Sequence, residues 1–402
     1  MGAVGRPATP PRPTRPRALP LIVGAVVLVD SLMYAALTPL LPEYAERFGL
    51  SKTGAGVLAG VYAAGAMLGA APSAWLAARI GARRTLLAGL ALKSLAGLGF
   101  AFGQTIVVLD ATRFLLGLGA ACSWAGGMGW LVATTPPERR GTAIGGAMGA
   151  AVVGFLLGPV LGAVARVTGP ELPFAAVGVL AAVLGLCAVR LPGPSRAPAA
   201  RGRLAPALRD PRIRVGAWLV TANALAIGAV EVLAPLRLDA LGAGGAVIGA
   251  TFLAAAAVEG CVQLVVGRAT DRWGRAAPIR IALAGLIGAL LLLPLPQALA
   301  PFVVAVTLAW VACGALNTPA MTLVSDGIDG RRLDQTLGFA TTYFAWAGGQ
   351  VLGAMAGGLL AARTSDAVVY VALAVLCAVT YAAVARRGAP ALSRAAAATR
   401  SR

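Results

Sequence analysis

Twelve times along the chain the sequence runs apolar for long enough to cross a lipid bilayer, at about residues 18–41, 53–77, 85–103, 106–133, 141–165, 173–190, 214–236, 246–267, 279–298, 301–323, 336–361 and 367–385. A helix needs roughly 20 such residues to span the ~30 Å hydrocarbon core, and inside that core the backbone must satisfy its own hydrogen bonds. The pattern excludes a soluble globule and predicts an all-α membrane protein with twelve transmembrane helices. Composition agrees: 58% of the 402 residues are hydrophobic and only 12% are charged, with a mean hydropathy of +0.82.

An even number of spans puts both termini on one side, and the basic residues choose which, because Lys and Arg in short loops stay cytoplasmic. Arg47, Lys52, Arg166, Arg237 and Arg363 are the basic residues in the loops of one side, and Lys93 and Arg113 fall inside apolar runs. All the others lie in the termini and in the loops of the opposite side. The expected arrangement is a multi-pass protein of the cell inner (plasma) membrane with both termini cytoplasmic. The net charge of +19 follows from this asymmetry and adds contact with anionic lipid headgroups; no compact soluble domain is left to bind nucleic acid. The opening "RPATPPRPTRPR" precedes an apolar run too long for a signal peptide, so residues 1–17 read as a disordered cytoplasmic arm. Five cysteines, all within apolar runs, and the absence of histidine point to no disulfide framework, metal or cofactor. No nucleophile elbow, zinc-protease motif or phosphate-binding loop is present, which argues against an intramembrane enzyme and against ATP as an energy source.

The second half of the chain repeats the first at an offset of 193 positions, with Pro42 falling on Pro235, Arg79 on Arg272 and Gly81 on Gly274. Two similar bundles can open a shared cavity to either side by rocking. The expected organisation is an N-terminal bundle at 18–190, a basic, Pro- and Gly-rich linker at 191–213, a C-terminal bundle at 214–385 and a tail at 386–402. The same register sets Asn223 opposite Asp30 and Glu231 opposite Thr38. At helical spacing Asp30, Tyr34 and Thr38 share one face of the first run, and Asn223, Ile227 and Glu231 share the matching face of the seventh. Each half thus offers one acid and one neutral polar group at exchanged heights, and both faces are expected to line a central cavity.

These residues resemble the major facilitator superfamily over essentially the whole chain. The loop "GRATDRWGR" is similar to the family's G-x-x-x-D-R-x-G-R signature through Gly267, Asp271, Arg272, Gly274 and Arg275. "RFLLGLGAA" fits its R-x-x-x-G-x-G-x-A pattern through Arg113, Gly117, Gly119 and Ala121. "GFLLGPVLG" looks like the fifth-helix motif of drug/proton antiporters through Gly154, Gly158, Pro159 and Gly162. The first and seventh runs are similar to the branch holding bacterial multidrug exporters and vesicular amine transporters. The first-half loop keeps Arg79, Gly81, Arg83 and Arg84 but has Ala78 in place of the signature Asp and Ala74 in place of Gly, which moves the expected cytoplasmic gate onto Asp271. The resemblance implies the major facilitator fold, two pseudo-symmetric six-helix bundles working by alternating access.

An ionised side chain at the bilayer centre is retained mainly where it faces a cavity or a partner, and a buried carboxyl is neutral when occluded and ionised when wetted. Asp30 and Glu231 are therefore candidate proton and substrate acids. Glu259 has no acid at its repeat position, Ala66, and is a weaker candidate. Arg113 either lowers the pKa of a nearby acid, holds an anion or relays the proton step, the last being what the family motif implies, or it pairs with Asp110 three residues earlier; Lys93 reads as a snorkelling or locally paired residue. Tyr34, Trp124, Tyr343 and Trp346, with Thr342 and Gln350, are candidate cavity-lining residues that would hold flat, lipophilic cations. The expected function is export of small lipophilic or cationic, drug-like compounds in exchange for protons by a monomer, with multidrug efflux and antibiotic resistance as the physiological setting. The alternative is a uniporter or proton-coupled importer of a polar metabolite.

Overall fold

A computed structural model describes residues 18–136, 139–193, 210–331 and 335–386, without the side chains of residues 271, 335–337 and 339. The arm at 1–17, residues 194–209 of the linker, the tail beyond 386 and the Asp271 side chain lie outside this description. Among the described residues the chain folds into thirteen helices and no strand. They are α1 (Ala18–Ala35), α2 (Leu41–Arg47), α3 (Lys52–Ile80), α4 (Ala82–Phe102), α5 (Ile106–Thr134), α6 (Arg140–Thr168) and α7 (Glu171–Val189), followed by α8 (Pro211–Ala240), α9 (Gly245–Trp273), α10 (Ala276–Leu292), α11 (Leu299–Gly330), α12 (Gln335–Arg363) and α13 (Asp366–Arg386). Eleven are long and apolar enough to cross a membrane.

Two apolar runs end earlier than their hydropathy suggests, each at prolines. The ninth run does not reach 298: α10 stops at Leu292, just before Pro294 and Pro296, because a residue preceding proline is pushed out of the helical region. The first run is not one helix to 41. After Ala35 the chain turns through 36–40, and Pro42 sits in the first turn of the short α2. Pro39 has no N–H to donate to Ala35 and crowds the backbone of Thr38. At the repeat position the second half carries Val232, and α8 runs unbroken through Pro235. Thr38 therefore lies in a turn, not on the helical face with Asp30 and Tyr34.

Helices attract one another weakly through hydrocarbon alone, so tight association relies on small residues that let backbones approach. Within the first half α1 packs on α6, α3 and α4 on α5, and α4 on α7; within the second, α8 packs on α11 and α12, α9 and α10 on α11, and α10 on α13. The halves meet where α3 packs on α12 and α6 on α9, with α8 touching α2 and α3.

These contacts between halves are tight only toward one end. A Cβ on Gly56 of α3 would strike the Ala354 carbonyl of α12, and one on Gly358 would strike that of Lys52. A Cβ on Gly249 of α9 would lie 3.0 Å from the Pro159 carbonyl of α6. At the other end of the same pair, Gly141, Gly145, Gly146 and Gly149 of α6 and Gly260 and Gly267 of α9 face open space. The contact between α6 and α9 is thus tight at the end poor in basic loop residues and loose toward the arginine-rich loops.

Ion pairs tie the tight end. Lys52 Nζ lies 2.5 Å from Asp366 Oδ1, linking the starts of α3 and α13. Arg166 at the end of α6 reaches Asp239 of α8 at 2.9 Å, the Pro39 carbonyl at 3.3 Å and Glu43 of α2 at 3.9 Å. Burial pushes the Glu43 carboxyl above its ordinary range while Arg166 and Arg47 pull it back, so Asp239 is the firmer partner of Arg166. Partly exposed pairs are worth about 0.2–1 kcal/mol each. We predict that Arg166→Ala will speed labelling of a cysteine placed at Ala354 by a membrane-impermeant maleimide about two- to five-fold, with the exposed Cys187 and Cys261 replaced by serine; unchanged labelling would show that the pair does not hold this end shut.

Candidate functional site

Asp30 is 3% exposed, and its carboxylate is met from three helices of its own half. Trp124 Nε1 of α5 donates to Oδ2 at 2.8 Å, and the Tyr62 hydroxyl of α3 donates to Oδ1 at 3.4 Å. Lys93 of α4, with no exposure at all, brings Nζ to 3.1 Å from Oδ1. The ammonium has no other acceptor among the described residues. This is an ion pair in the interior, so Lys93 does not snorkel. Gly119 makes room for it: a Cβ there would press within 3.1 Å of Lys93 Cγ.

Glu231 is held differently, by one residue from each half. The Tyr34 hydroxyl donates to Oε2 at 2.7 Å. Gln350 Nε2 of α12 donates to the same oxygen and, at 2.6 Å, to the Tyr34 hydroxyl. Gly228, one turn before Glu231, allows this closeness, since a Cβ there would lie 2.7 Å from the Gln350 carbonyl. Among the described residues no Lys or Arg nitrogen lies within ion-pair distance of Glu231.

Arg113 is 3% exposed and lies beyond ion-pair distance of Asp110. Its Nη1 lies 3.4 Å from the carbonyl oxygens of both Met33 and Tyr34, and its Nη2 lies 3.5 Å from that of Ala59. Where Pro39 prevents α1 from continuing, the last carbonyls lack helical partners, and a cation there suits the negative end of the helix. The guanidinium also sits over the rings of Tyr62 and Tyr34, at 5.3 and 6.0 Å from their centroids.

An aromatic wall joins the two acids. Ring centroids step from Tyr34 to Trp346 in 5.9 Å, to Tyr343 in 5.8 Å and to Trp124 in 6.4 Å. Thr38, Tyr34, Arg113 and Glu231 line one small cavity. Thr342 donates to the Gly338 carbonyl of its own helix. Asn223 is buried, and its side-chain oxygen has no hydrogen-bond partner among the described residues. Glu259 stands apart on α9, accepting from Gln263 at 2.7 Å and filling the space left by Gly314.

The glycines of α6 serve one purpose. Cβ atoms on Gly154, Gly158 and Gly162 would run into Leu28, Ala35 and Ala36 of the first run respectively, so this face seats α6 on α1. The Pro159 carbonyl on α6 meets α9 of the other half. Among the described residues, which leave out the Asp271 side chain, the loop residues expected as a gate show no contact across the halves. Arg79 lies over the Trp75 ring at 4.8 Å, and Arg83 donates to the Val189 carbonyl. Arg275 makes a two-pronged pair with Asp326 of α11 at 2.8 and 3.1 Å. Gly81 and Gly274 adopt positive φ, 94° and 75°, at their turns, which favours glycine. Arg272 is exposed, and Gly267 lies inside α9 rather than in a turn.

Sequence reasoning missed Lys93 as the partner of Asp30, Tyr62 as a donor, Asp326, and the Arg166 and Lys52 ties. For Lys93 a signal existed: opposite charges inside apolar spans tend to pair with one another.

A family model of the Major Facilitator Superfamily matches residues 23–349, with a second match over 216–401. An uncharacterized MFS-type transporter of Schizosaccharomyces pombe is 30% identical over 157 residues, 37% of this chain and 35% of that protein. A synaptic vesicular amine transporter of Bos taurus is 31% identical over 163 residues, 39% of this chain and 32% of that protein. The matched segment spans about a third of the length of these relatives. Among solved structures, a bacterial homologue of the human lysosomal transporter Spinster, in its inward-facing and occupied conformation, superposes with a TM-score of 0.77 at 16% identity, covering 95% of this chain and 99% of that one. A D-xylose–proton symporter superposes with a TM-score of 0.72 at 16% identity, covering 92% and 97%. At these identities the structures speak for the fold.

The glycine face of α6 yields a paired prediction. Gly154→Ala places a methyl against the Leu28 carbonyl and should destabilise the protein by about 1–3 kcal/mol, read as a lower melting temperature in detergent. Gly146→Ala meets open space and gains about 1 kcal/mol of helix propensity, so it should melt no lower than the parent. Equal melting of the two variants would show that the face does not pack as described.

Proposed function

The chain belongs to the major facilitator superfamily, and on that premise we propose that it is a secondary active transporter rather than an enzyme, exporting small lipophilic or cationic compounds in exchange for protons by alternating access. The support comes from Glu231, a carboxyl shared between the halves, hydrogen-bonded by Tyr34 and Gln350, with no cation in ion-pair contact among the described residues. An ionised carboxylate so placed is costly, and either a proton or a cationic group of a substrate relieves that cost. Two occupants that relieve the same charge exclude one another, which is the elementary requirement for exchange. The aromatic wall beside it suits a flat apolar body bearing a positive charge, and the partial similarity to vesicular amine transporters favours cargo with a basic nitrogen.

With the arginine-rich end cytoplasmic, the tight, ion-paired end of the interface faces outside. A compound enters from the cytoplasm, its positive group takes the place of the proton on Glu231, and that proton leaves to cytoplasmic water. The loaded protein then rocks, parting Arg166 from Asp239 and Lys52 from Asp366, and outside protons reclaim Glu231 as the compound departs.

Everted plasma-membrane vesicles test this reading. With the lumen acidified, they should accumulate ethidium at least about ten-fold over vesicles treated with a protonophore, and Glu231→Gln should abolish the gradient-dependent part. Accumulation indifferent to the proton gradient would sink the exchange mechanism, and gradient-driven movement in the opposite sense would make the protein an importer.

A further inference from the structure

The two acids at the centre are held by different sets of neighbours, and the difference bears on which one can couple proton movement to rocking. Every group on the Asp30 carboxylate belongs to the first half: Tyr62 on α3, Lys93 on α4 and Trp124 on α5. If the halves rock as bodies, this cluster travels intact and Asp30 keeps its ion-pair and hydrogen-bond partners in every state, whereas Tyr343 of the other half faces it without a hydrogen bond or ion pair. Its ammonium partner is buried completely and has no other acceptor among the described residues. Separating the pair would leave two charges in a low-dielectric interior, the most expensive outcome open to either. Glu231 sits astride the interface, with Tyr34 on one half and Gln350 on its own. Rocking removes one donor and changes access to water, so the affinity of this carboxyl for a proton must differ between the two states. Only a group whose surroundings change with the conformation can couple its proton to that conformation.

Building on the proton-exchange reading above, we infer that Lys93 locks Asp30 as a compensated ion pair through the cycle, leaving Glu231 as the central carboxyl that exchanges the proton and meets the substrate's positive group. Lys93 is then a positioning residue: it withdraws one acid from proton exchange so that the central site carries one exchangeable charge instead of two. The wider surroundings are consistent with this division. Tyr34, Arg113 and Cys313 are the titratable groups facing Glu231. Tyr62, Lys93 and Tyr343 face Asp30, and Cys122 lies beside Lys93. Among these the one cation in ion-pair contact with either acid is Lys93.

Infrared titration of the purified full-length protein decides the assignment, because protonated carboxyls absorb apart from carboxylates. Glu259 and Asp110 contribute equally to all variants and cancel in wild-type-minus-variant differences. The wild-type protein should show a titrating carboxyl that vanishes in Glu231→Gln and persists in Asp30→Asn. Lys93→Met should add a second titrating carboxyl, lost again on adding Asp30→Asn, whereas Lys93→Arg should leave the wild-type pattern. If Lys93→Met fails to fold, the comparison of wild type, Glu231→Gln and Asp30→Asn still decides. A titrating band that survives Glu231→Gln and disappears in Asp30→Asn overturns the inference. Proton release on adding ethidium is measured on the same samples: a titrating Glu231 without ethidium-induced release defeats the exchange reading and leaves the assignment of the two acids standing.

Discussion

A carboxylate inside an apolar helix bundle has to be met by protein groups, because no bulk water is there to meet it, and the centre of this molecule is organised around two such carboxylates. Asp30 is answered by a cation and two donors drawn from one half. Glu231 is answered by neutral donors drawn from both. The first arrangement is electrically complete. The second depends on how the two halves stand to one another, which is what a moving part requires.

Helix packing is subordinate to these contacts. Donors reach the carboxylates only because glycines let backbones approach: Gly228 brings α12 to α8, Gly119 leaves a slot for the Lys93 stem, and Gly154, Gly158 and Gly162 seat α6 against α1 and the turn after it. Arg113 completes the arrangement by taking the carbonyls left open where α1 stops. One guanidinium thus satisfies a broken helix end and lies over the two tyrosines that serve the two acids.

The sparse charges of the tight end have a second use. Arg166 and Lys52, two of the few basic residues on that side, both hold acids of the opposite half, Asp239 and Asp366. These pairs are partly exposed and individually weak, so they bias this arrangement without fixing it. The abundant arginines of the other end make no such crossing among the described residues: Arg275 stays with Asp326 inside its own half and Arg83 with the Val189 carbonyl of its own.

Much of this was legible in the residues. The apolar runs dictated a helical membrane protein, since only helices or closed barrels satisfy the backbone in lipid. The repeat singled out Asp30 and Glu231, and helical spacing put Tyr34 on the face of Asp30 and Gln350 on that of Trp346; in the fold Tyr34 and Gln350 both meet Glu231. Hydropathy could not show that α1 breaks at Pro39, because proline in an apolar run raises no polar signal; the contrast with Val232 carried that information unread. What only the tertiary structure decided is the pairing. Asp30 and Lys93 lie on different helices, as do Glu231 and Gln350, and a one-dimensional pattern records which face a side chain occupies but not which helix is packed against it. Sequence alone therefore singled out two acids on matching faces, and packing made them unequal: one is paired with a cation of its own half, and the other is hydrogen-bonded from both halves.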